Sequence, residues 1–469
     1  MLISRDIKVT MKVLQERLGI GYSFDIIHRE ICVGGKKACM YFIDGFCKDE
    51  IMQKMIEYFM GIRTEDLPTS VDVFCRSMAP YIEIDMKSDY EDLVSQILSG
   101  VFILVIDGYE KALLIDARTY PARSVEEPSK DRALRGSRDG FVETIVFNTA
   151  LIRRRIRDES LRMEMYNVGE SSKTDVVVCY MDQRANPAFL ETIKYKIQHI
   201  KVDSLILSCE SMAEALYKRK WYNPFPKFKY TQRPDTAAAQ LLEGNIIILI
   251  DTAPTAIVLP TTIFDILEET DDYCFPPLTG SYLKLSRLLI LLLTYLIAPL
   301  FLLLMDNRTY IPEVFDFIQV QESVNIPLIW QFLILELAID GLRLAAVNTP
   351  NILSTPLSIM AGLVLGEFSV QSGWFNAEVM LYMAFIAIAS YTQPNYELGY
   401  ALKFMRIINL ILTAILGLWG FMAGILICVV ALGMNKTVSG TSYLYPLFPL
   451  DTKALKRQLF RCRLSNSEK

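Results

Sequence analysis

Apolar residues in the first part of the chain recur at the spacings of strands and helices. Residues 24–45, FDIIHREICVGGKKACMYFIDG, contain two apolar runs around a Gly-Gly pair and predict a β-hairpin. Residues 48–61, KDEIMQKMIEYFMG, repeat their apolar positions at helical spacing. A second hairpin is expected in residues 101–119, VFILVIDGYEKALLIDART, with a two-residue turn at its Asp-Gly pair. These elements predict a first α/β subdomain over residues 1–140.

The same alternation of strands and helices returns further along the chain. Strands are expected in residues 175–181, 204–209 and 244–251, and a helix is expected in residues 189–200. Strands that alternate with helices are typical of sheets covered by helices. The pattern predicts a second α/β subdomain over residues 173–284, so that two mixed-sheet subdomains form the first part of the protein.

The segment between these subdomains, RGSRDGFVETIVFNTALIRRRIRD at residues 135–158, joins a glycine-containing turn to a run of arginines. Asp139 is expected to cap a helix, and residues 141–172 are expected to form an amphipathic basic connecting helix. Its apolar stripe comprises Val142, Ile145, Val146, Thr149, Ile152 and Ile156. Its basic face comprises Arg153, Arg154, Arg155 and Arg157. That face either is solvated or contacts a neighbouring subunit or anionic lipid headgroups.

Charged residues become sparse after Leu285, and long apolar runs replace the alternating pattern. Residues 288–305 carry no charge and are long enough to span a bilayer core of about 30 Å. These features predict a helical transmembrane domain over residues 285–434. Further apolar segments lie near residues 327–347, 357–372, 379–392 and 407–434.

The ends of the chain indicate how this domain is oriented. The N-terminus lacks the apolar core of a secretory signal, so the α/β region is expected in the cytoplasm. Most of the charged residues in the segment 435–469 are basic, so this segment is expected to form a cytosolic tail. If both ends of the chain lie on one side of the membrane, the number of crossings must be even. Four crossings satisfy that condition, with residues 357–372 either re-entrant or lying in the interface.

Composition excludes several classes of function. The net charge of −5 gives no reason to expect nucleic acid as a partner. The nine cysteines are scattered singly and there are only two histidines, which argues against a disulfide framework and against a metal site. No nucleophile lies beside a base in a recognisable motif. We therefore expect no catalytic residues, no cofactor and no enzymatic activity.

Ionisable residues within the apolar region indicate where this protein works. Glu336, Asp340 and Arg343 are separated by four and three positions and therefore share one helical face, and Glu367 follows in the next segment. A charge at bilayer depth costs about 2.5–3.5 kcal/mol on insertion scales, so these groups are not expected to face lipid. They form either an internal salt bridge that fixes helix register or a polar pathway with a gate.

The motifs of the soluble and apolar parts together resemble the A subunit of the GerA family of bacterial spore germination receptors. The family pattern EPxxxxxxRGPREGFVExxxxNxxLIRRRI is matched by Glu127, Pro128, Arg135, Gly136, Arg138, Gly140, Phe141, Val142, Glu143, Asn148, Leu151, Ile152, Arg153, Arg154, Arg155 and Ile156. Ser137 and Asp139 replace the proline and the glutamate of that pattern.

Two further blocks carry the resemblance in the same order. The block that begins with RPD is matched at Arg233, Pro234, Asp235, Gly244, Asp251, Pro254, Pro260 and Tyr273. The apolar block ELxFELLREAGxRLP is matched at Glu336, Leu337, Leu342, Arg343, Ala345 and Pro350. Asp340 substitutes for a glutamate, and Leu344 and Asn348 replace charged residues of the family.

The resemblance implies a subunit of a nutrient receptor in the bacterial spore inner membrane, with several crossings and a large cytoplasmic N-terminal domain. It implies a transporter-like B subunit and a lipoprotein C subunit as partners, and self-association into a ligand-gated cation channel. A membrane scaffold, or a transporter component without its own pore, is the alternative. Within such an assembly, residues around the arginine run are expected at a subdomain or subunit interface: Arg135, Arg138, Glu143, Arg153, Arg154 and Arg155.

Overall fold

The chain folds into two compact units in a computed structural model. The sheet unit comprises residues 1–219 and 228–260, and the helical unit comprises residues 220–227 and 261–469. The structure describes residues 2–81, 83–120, 136–218, 220–308, 311–320, 324, 326–348, 362, 366 and 368–461.

The first half of the sheet unit is a five-stranded sheet with its helices. Its elements are α1 (Ile7–Leu18), β1 (Ile26–Val33), β2 (Lys36–Ile43), α2 (Asp49–Gly61), a short 3-10 helix (Thr64–Asp66), α3 (Val71–Ser77), β3 (Ile84–Lys87), α4 (Tyr90–Leu98), β4 (Phe102–Ile106) and β5 (Ala112–Ile115). The strands lie in the order β1-β2-β4-β5-β3. The first predicted hairpin and the helix that follows it are confirmed.

The second half of the sheet unit repeats this arrangement. Its elements are α5 (Ile145–Arg155), β6 (Leu161–Val168), β7 (Thr174–Met181), α6 (Pro187–Gln198), α7 (Cys209–Leu216), β8 (Lys229–Thr231), α8 (Pro234–Leu242), β9 (Ile246–Ile250) and β10 (Ala256–Leu259). The strands lie in the order β6-β7-β9-β10-β8, which is the order of the first sheet. Residues 141–172 therefore contain α5 and β6, the counterparts of α1 and β1.

Burial on both faces explains why the central strands are almost entirely apolar. In β4, Ile103 and Val105 pack in one cluster with residues of α1 and α4. Phe102 and Leu104, on the other face, pack with residues of α2 and α3. Successive side chains of a strand point to opposite faces, so a strand covered on both faces must be apolar at every position. The predicted class of two α/β subdomains followed by a helical region is confirmed.

The described strand pairs are all antiparallel, whereas the sequence pattern predicted mixed sheets. Each subdomain contains two hairpins, and hairpins with short connections pair antiparallel. The remaining strand of each subdomain joins the edge of the second hairpin, where it also runs antiparallel to its neighbour. Alternation of strands and helices in sequence therefore did not produce parallel βαβ units.

Two local predictions differ from the structure. The second predicted hairpin forms, but its strands β4 and β5 are joined by five residues instead of a two-residue turn at Asp107 and Gly108. The backbone amide of Gly108 donates to Arg5 O at 2.8 Å, and therefore does not pair within the hairpin. Residues 204–209 form no strand, since the chain turns at Leu205–Ser208 and α7 begins at Cys209. Leu205 and Cys209 are buried, whereas Ile206 and Leu207 between them are 82% and 72% exposed, so this run does not form a strand of the core.

The two subdomains of the sheet unit are joined through a buried ion pair. Arg153 of α5 donates from Nε to Asp25 Oδ2 at 2.7 Å, and both side chains are almost inaccessible to solvent (0% and 1% exposed). The same guanidinium donates to Leu161 O at 3.2 Å. Beside it, Phe24 N donates to Met163 O at 3.0 Å, so backbone also links the segment before β1 to β6. The arginine that the sequence placed on the outer face is therefore part of the junction.

Helix α5 also begins later than the sequence predicted. Thr144 is its N-cap residue, and the first helical amide, Ile145 N, donates to Asp251 Oδ1 at 3.2 Å. Asp139, expected as the cap, instead accepts from Arg155 at 2.7 Å. A carboxylate from another loop thus stabilises the helix start, which sequence spacing cannot reveal.

The helical unit contains the apolar part of the chain. Its elements are α9 (Ile263–Leu267), α10 (Asp271–Cys274), α11 (Pro277–Asp306), a 3-10 helix (Glu313–Ile318), α12 (Leu328–Asn348), α13 (Ser369–Gln371), α14 (Ala377–Ser390), α15 (Tyr396–Leu416), α16 (Leu418–Gly433) and α17 (Thr452–Leu459). Within the described residues, α11 and α15 are long and apolar enough to cross a membrane, and α14 and α16 are shorter apolar helices. Most of the apolar segment at 357–372 lies outside the described residues.

The apolar segment predicted near residues 407–434 is a helical hairpin. Gly417 separates α15 from α16 at φ 57° and ψ −130°, a conformation that favours glycine. Two glycines one turn apart then let α16 approach α15: a Cβ on Gly420 would meet Leu412 O at 1.8 Å, and one on Gly424 would meet Asn409 Oδ1 at 2.2 Å. This spacing of small residues permits close helix packing in membranes.

Replacing Arg153 by methionine is expected to lower the free energy of unfolding by about 3–5 kcal/mol, because Asp25 would stay buried without its partner. Chemical unfolding of the full-length protein in detergent, followed by circular dichroism, measures the change. The matched control is Arg154→Met, whose exposed side chain should contribute under about 1 kcal/mol. Equal stabilities of the two variants would contradict the role given to the ion pair.

Replacing Gly420 by alanine is expected to destabilise the helical hairpin by about 1–3 kcal/mol, because the new methyl group must push two backbones apart. Thermal unfolding of the full chain in nanodiscs measures this loss. Gly433→Ala, at the end of the same helix, is the control because no heavy atom lies within 4 Å of its Cβ position. That control should be neutral or slightly stabilising. A Gly420→Ala chain as stable as the control would disprove the close packing.

Candidate functional site

The ionisable residues predicted in the apolar region meet at one cleft of the helical unit. The cleft is lined by residues of α11, α12, α14 and α15, and by the loop that follows α14: Thr294, Glu336, Ile339, Asp340, Arg343, Ile386, Ala387, Ser390, Gln393, Gly399, Leu402, Lys403 and Arg406. Its volume is about 20 Å³, which is roughly the space of one water molecule. Glu336, Asp340 and Arg343 all lie along it, as their shared helical face requires.

Glu336 is the centre of the charge network. Its carboxylate is buried on α12 and accepts from Arg406 of α15, at 2.7 Å from Nε and 2.6 Å from the terminal nitrogen. The ammonium of Lys403 lies 3.5 Å from the other carboxylate oxygen. Arg406 also donates to Thr294 O on α11 at 2.8 Å. One carboxylate therefore holds two cations of α15 and, through Arg406, connects three helices.

Asp340 lies one turn further along α12 and extends the network. It forms an ion pair with Lys403, which also donates to the backbone oxygen of Glu336 at 3.0 Å. Lys403 and Arg406 are three positions apart on α15, and the two carboxylates are four positions apart on α12. These spacings place each pair on one face of its helix, so that two acidic and two basic groups meet across the interface.

Arg343 belongs to the cleft but not to this network of carboxylates. Its guanidinium donates to Ser390 Oγ at 2.7 Å and lies over the rings of Tyr391 and Tyr400, at 5.2 and 5.5 Å from their centroids. Among the described residues, its buried Nε has no hydrogen-bond partner, and neither polar atom of the Gln393 amide has one. Buried polar groups are normally satisfied, so this end of the cleft retains unused donors and an acceptor.

Sequence reasoning missed Lys403 and Arg406. The apolar segment was expected to start near residue 407, whereas α15 begins at Tyr396 and carries both cations within its length. The signal that could have found them is the pair of basic residues in an otherwise apolar helix, because such groups need acidic partners at bilayer depth. Glu367, the fourth predicted gating residue, lies outside the described residues.

The charge balance limits what this cleft can do in the observed state. The described lining holds two carboxylates and three basic groups, and both carboxylates are ion-paired. A cation could bind to these carboxylates only by displacing Lys403 or Arg406. A search of the described residues found no cluster of His, Cys, Asp or Glu that could hold a metal ion. Both carboxylates of the cleft are therefore neutralised in the observed state.

The residues predicted for a subdomain or subunit interface are more dispersed. Arg154 stacks over the Tyr120 ring at 4.6 Å, which brings α5 against the end of the first subdomain. Arg155 donates to Asp139 and to Ser137, and thereby holds the glycine-containing turn against α5. Burial opposes ionisation of Asp139, yet the hydrogen bonds from Ser137 and Arg155 lower its pKa below the ordinary value.

Arg138 and Glu143, also predicted at the interface, do not join this junction. Both are exposed on the sheet unit, and Arg135 lies outside the described residues. The backbone oxygen of Glu143 accepts from Thr252 N at 2.8 Å, so its backbone fastens the turn while its side chain faces solvent. The exposed side chains of Arg138 and Glu143 are accessible to another chain.

Comparison with known proteins extends these observations. The sequence profile described as Bacillus/Clostridium GerA spore germination protein matches residues 12–469. Stage V sporulation protein AF of Bacillus subtilis (strain 168) is 36% identical over 449 residues, which cover 95% of this chain and 90% of that protein. Spore germination protein KA of the same organism is 26% identical over 457 residues, which cover 96% and 83%.

One solved structure is similar as well. It is the N-terminal domain of the A subunit of the Bacillus megaterium spore germinant receptor GerK3, at 24% identity and a TM-score of 0.43, covering 55% of this chain and 96% of that domain. The assignment to a family rests on the sequence comparisons. The matching family profile spans nearly every residue of the chain, including both the arginine motif and the charged helix α12. The protein is a member of the GerA family of spore germination proteins.

Proposed function

We propose that this protein is the A subunit of a nutrient-responsive spore germination receptor and part of an oligomeric, ligand-gated cation channel. Its transporter-like B subunit, lipoprotein C subunit and location in the spore inner membrane follow from family membership and belong to the same proposal. The observation that carries the proposal is the ion-paired cleft in the helical unit, since charges inside an apolar helical region are costly and are mostly functional.

The geometry of the cleft supports a gate that is held shut by ion pairs. Glu336 and Asp340 are the groups that would attract a cation, and Lys403 and Arg406 occupy them in this state. Movement of α12 relative to α15 would free both carboxylates at once, because each pair lies on one helical face. A signal that shifts one of these helices would therefore convert a closed, neutralised cleft into a cation-attracting one.

The outer face of α12 supports self-association. It exposes apolar residues at spacings close to a heptad seam: Trp330, Ile334, Leu337, Leu344 and Val347. Gly341 lies on the same face with open space around its Cβ position, which permits the close approach of another helix. Because the cleft of one chain holds about one water molecule, a continuous path needs several chains or a rearranged one.

The competing function is a membrane scaffold without a pore of its own. The observation in its favour is that both carboxylates of the cleft already have partners, as expected of ion pairs that only fix helix register. Arg343 Nε and the Gln393 amide, which have no hydrogen-bond partner within the described part of the chain, favour the gate, because a static scaffold has no reason to retain such groups.

Replacing Glu336 by glutamine is expected to make dormant spores release cations without nutrient. The change removes charge-assisted bonds of about 1.5–3 kcal/mol from the closed state, which corresponds to at least about a tenfold increase in the open fraction. Potassium release from purified spores, with protein abundance checked by immunoblotting, measures the effect. Asp306→Asn, the equivalent change at the exposed end of α11, is the matched control and should leave release unchanged. Normal release from Glu336→Gln spores with normal abundance would favour the scaffold.

A cysteine at position 337 is expected to form a disulfide between two copies of the chain. Leu337 is 74% exposed on α12, whereas Leu335, two residues earlier, is 2% exposed and faces the interior. Mild oxidation of native membranes that contain Leu337→Cys should yield a dimer on a non-reducing gel. Leu335→Cys is the control and should not increase the dimer above the native chain. Absence of the dimer for both variants would argue against association through this face.

A further inference from the structure

A short segment of the helical unit exposes two aromatic side chains next to basic ones. Lys220–Lys227 belongs to the helical unit although the residues on either side of it in sequence belong to the sheet unit. Asn223 N donates to Lys220 O at 3.0 Å, and this turn places Trp221 and Tyr222 at its corner. Trp221 is 94% exposed and Tyr222 is 61% exposed. An isolated exposed tryptophan in a well-anchored turn needs an explanation.

The turn is fixed to the helical unit by buried polar contacts. The ammonium of Lys227 is buried and donates to the side-chain oxygen of Asn435 and to the backbone oxygen of Lys436. Asn223 also reaches Asn435, at 3.3 Å, and Phe225 lies in an apolar cluster of the helical unit. Burial lowers the pKa of Lys227 to about 8, which reflects how closely the ammonium is enclosed. The contacts of Asn223, Phe225 and Lys227 therefore fix the position of the turn that exposes Trp221 and Tyr222.

The anchoring point marks one end of the apolar helices. Asn435 follows directly after α16, and the same cluster packs Leu432 of α16 with Leu291 of α11. The apolar run of α11 begins just before that point, at Leu288, after Arg287 has paired with Asp272 at 2.8 Å. In both α11 and α16, the apolar part of the helix therefore ends at the same level, and charged residues lie beyond it. Such a change is expected at a boundary between water and lipid.

Segments at this end of the apolar helices have the composition of a membrane interface. Helix α17 lies beside the start of α11, since Gln458 and Leu459 line a pocket together with Arg287 and Leu288. The loop after α16 exposes further apolar residues, and α17 and the turn supply exposed basic ones: Leu447, Phe448, Leu450, Lys220, Lys453, Lys456 and Arg457. No acidic residue occurs between residues 217 and 232. Tryptophan and tyrosine concentrate at the headgroup level of bilayers, and clustered basic residues attract anionic lipids.

We propose that the turn at Trp221 and Tyr222 is an interfacial anchor that enters the headgroup layer of an anionic bilayer, with Lys220 and the basic face of α17 against lipid phosphates. The proposal rests on the membrane placement of α11 and α16 in the proposed function. It adds a lipid-binding element that lies in sequence between α7 and β8 of the sheet unit. Through the covalent chain, this element ties the second sheet subdomain to the membrane surface.

Tryptophan fluorescence of the full-length chain in vesicles tests this anchor. One variant keeps Trp221 alone (Trp330, Trp374 and Trp419 replaced by Phe), and its matched control keeps Trp419 alone, which is exposed on α16. Both are reconstituted in phosphatidylcholine vesicles with and without phosphatidylglycerol, and quenching by brominated lipid and by aqueous acrylamide is measured, because a neutral quencher is not repelled by an anionic surface. With phosphatidylglycerol, Trp221 should be quenched by bromine near the headgroups, and its quenching by acrylamide should fall several-fold relative to pure phosphatidylcholine. Lys220→Gln should weaken this dependence.

The outcomes separate the anchor from the membrane placement. If Trp419 is quenched by brominated lipid while Trp221 stays open to acrylamide, the helices are inserted and the anchor is wrong. If Trp221 is shielded from acrylamide without quenching by brominated lipid, protein covers it and the lipid assignment fails. Equal quenching in both lipid mixtures would overturn the role of anionic lipid. If neither tryptophan is quenched by brominated lipid, the anchor and the proposed membrane placement fail together.

Discussion

A charged side chain that is removed from water must be compensated by hydrogen bonds, and best by a partner of opposite charge, and this constraint organises both units of the protein. In the sheet unit, Arg153 is fully buried because Asp25 of the other subdomain neutralises it. In the helical unit, Glu336 is buried because Arg406 and Lys403 neutralise it. Removing one partner of such a pair is costly because the other charge stays buried without compensation. The same physical rule joins the two subdomains of the sheet unit and, in the proposed function, keeps the cleft of the helical unit closed.

The surroundings of the two ion-pair networks differ in how completely their polar groups are satisfied. Arg153 bonds to a carboxylate and to backbone oxygen, and its side chain is fully buried. At the cleft, Arg343 has a hydroxyl and two aromatic rings as neighbours, and its Nε lacks a partner among the described residues. A fully satisfied network is rigid, while a partly satisfied one has other arrangements close in free energy. This difference is why the proposed gate lies in the helical unit.

The repeated topology of the sheet unit gives α5 its position. Each subdomain begins with a helix before its first hairpin, so α5 is to the second sheet what α1 is to the first. The arginine run occupies the end of α5, just before β6, the first strand of the second sheet. Its three consecutive arginines point in three directions, to Asp25, to the Tyr120 ring and to Asp139. In sequence, the arginine run looks like a uniform basic face. In the structure, its three arginines make three different contacts near the junction of the two subdomains.

Sequence alone determined the class of the fold, because runs such as residues 24–45 and 288–305 can bury their apolar residues in only one kind of element. It also placed Glu336, Asp340 and Arg343 on one face, since helical periodicity is a local property. It could not show that Arg153 turns inward, that the 204–209 run leaves the core, or that Lys403 and Arg406 face the carboxylates of α12. Those outcomes depend on which helix packs beside which, and only the tertiary structure brings residues about 70 positions apart, such as Glu336 and Arg406, within hydrogen-bonding distance.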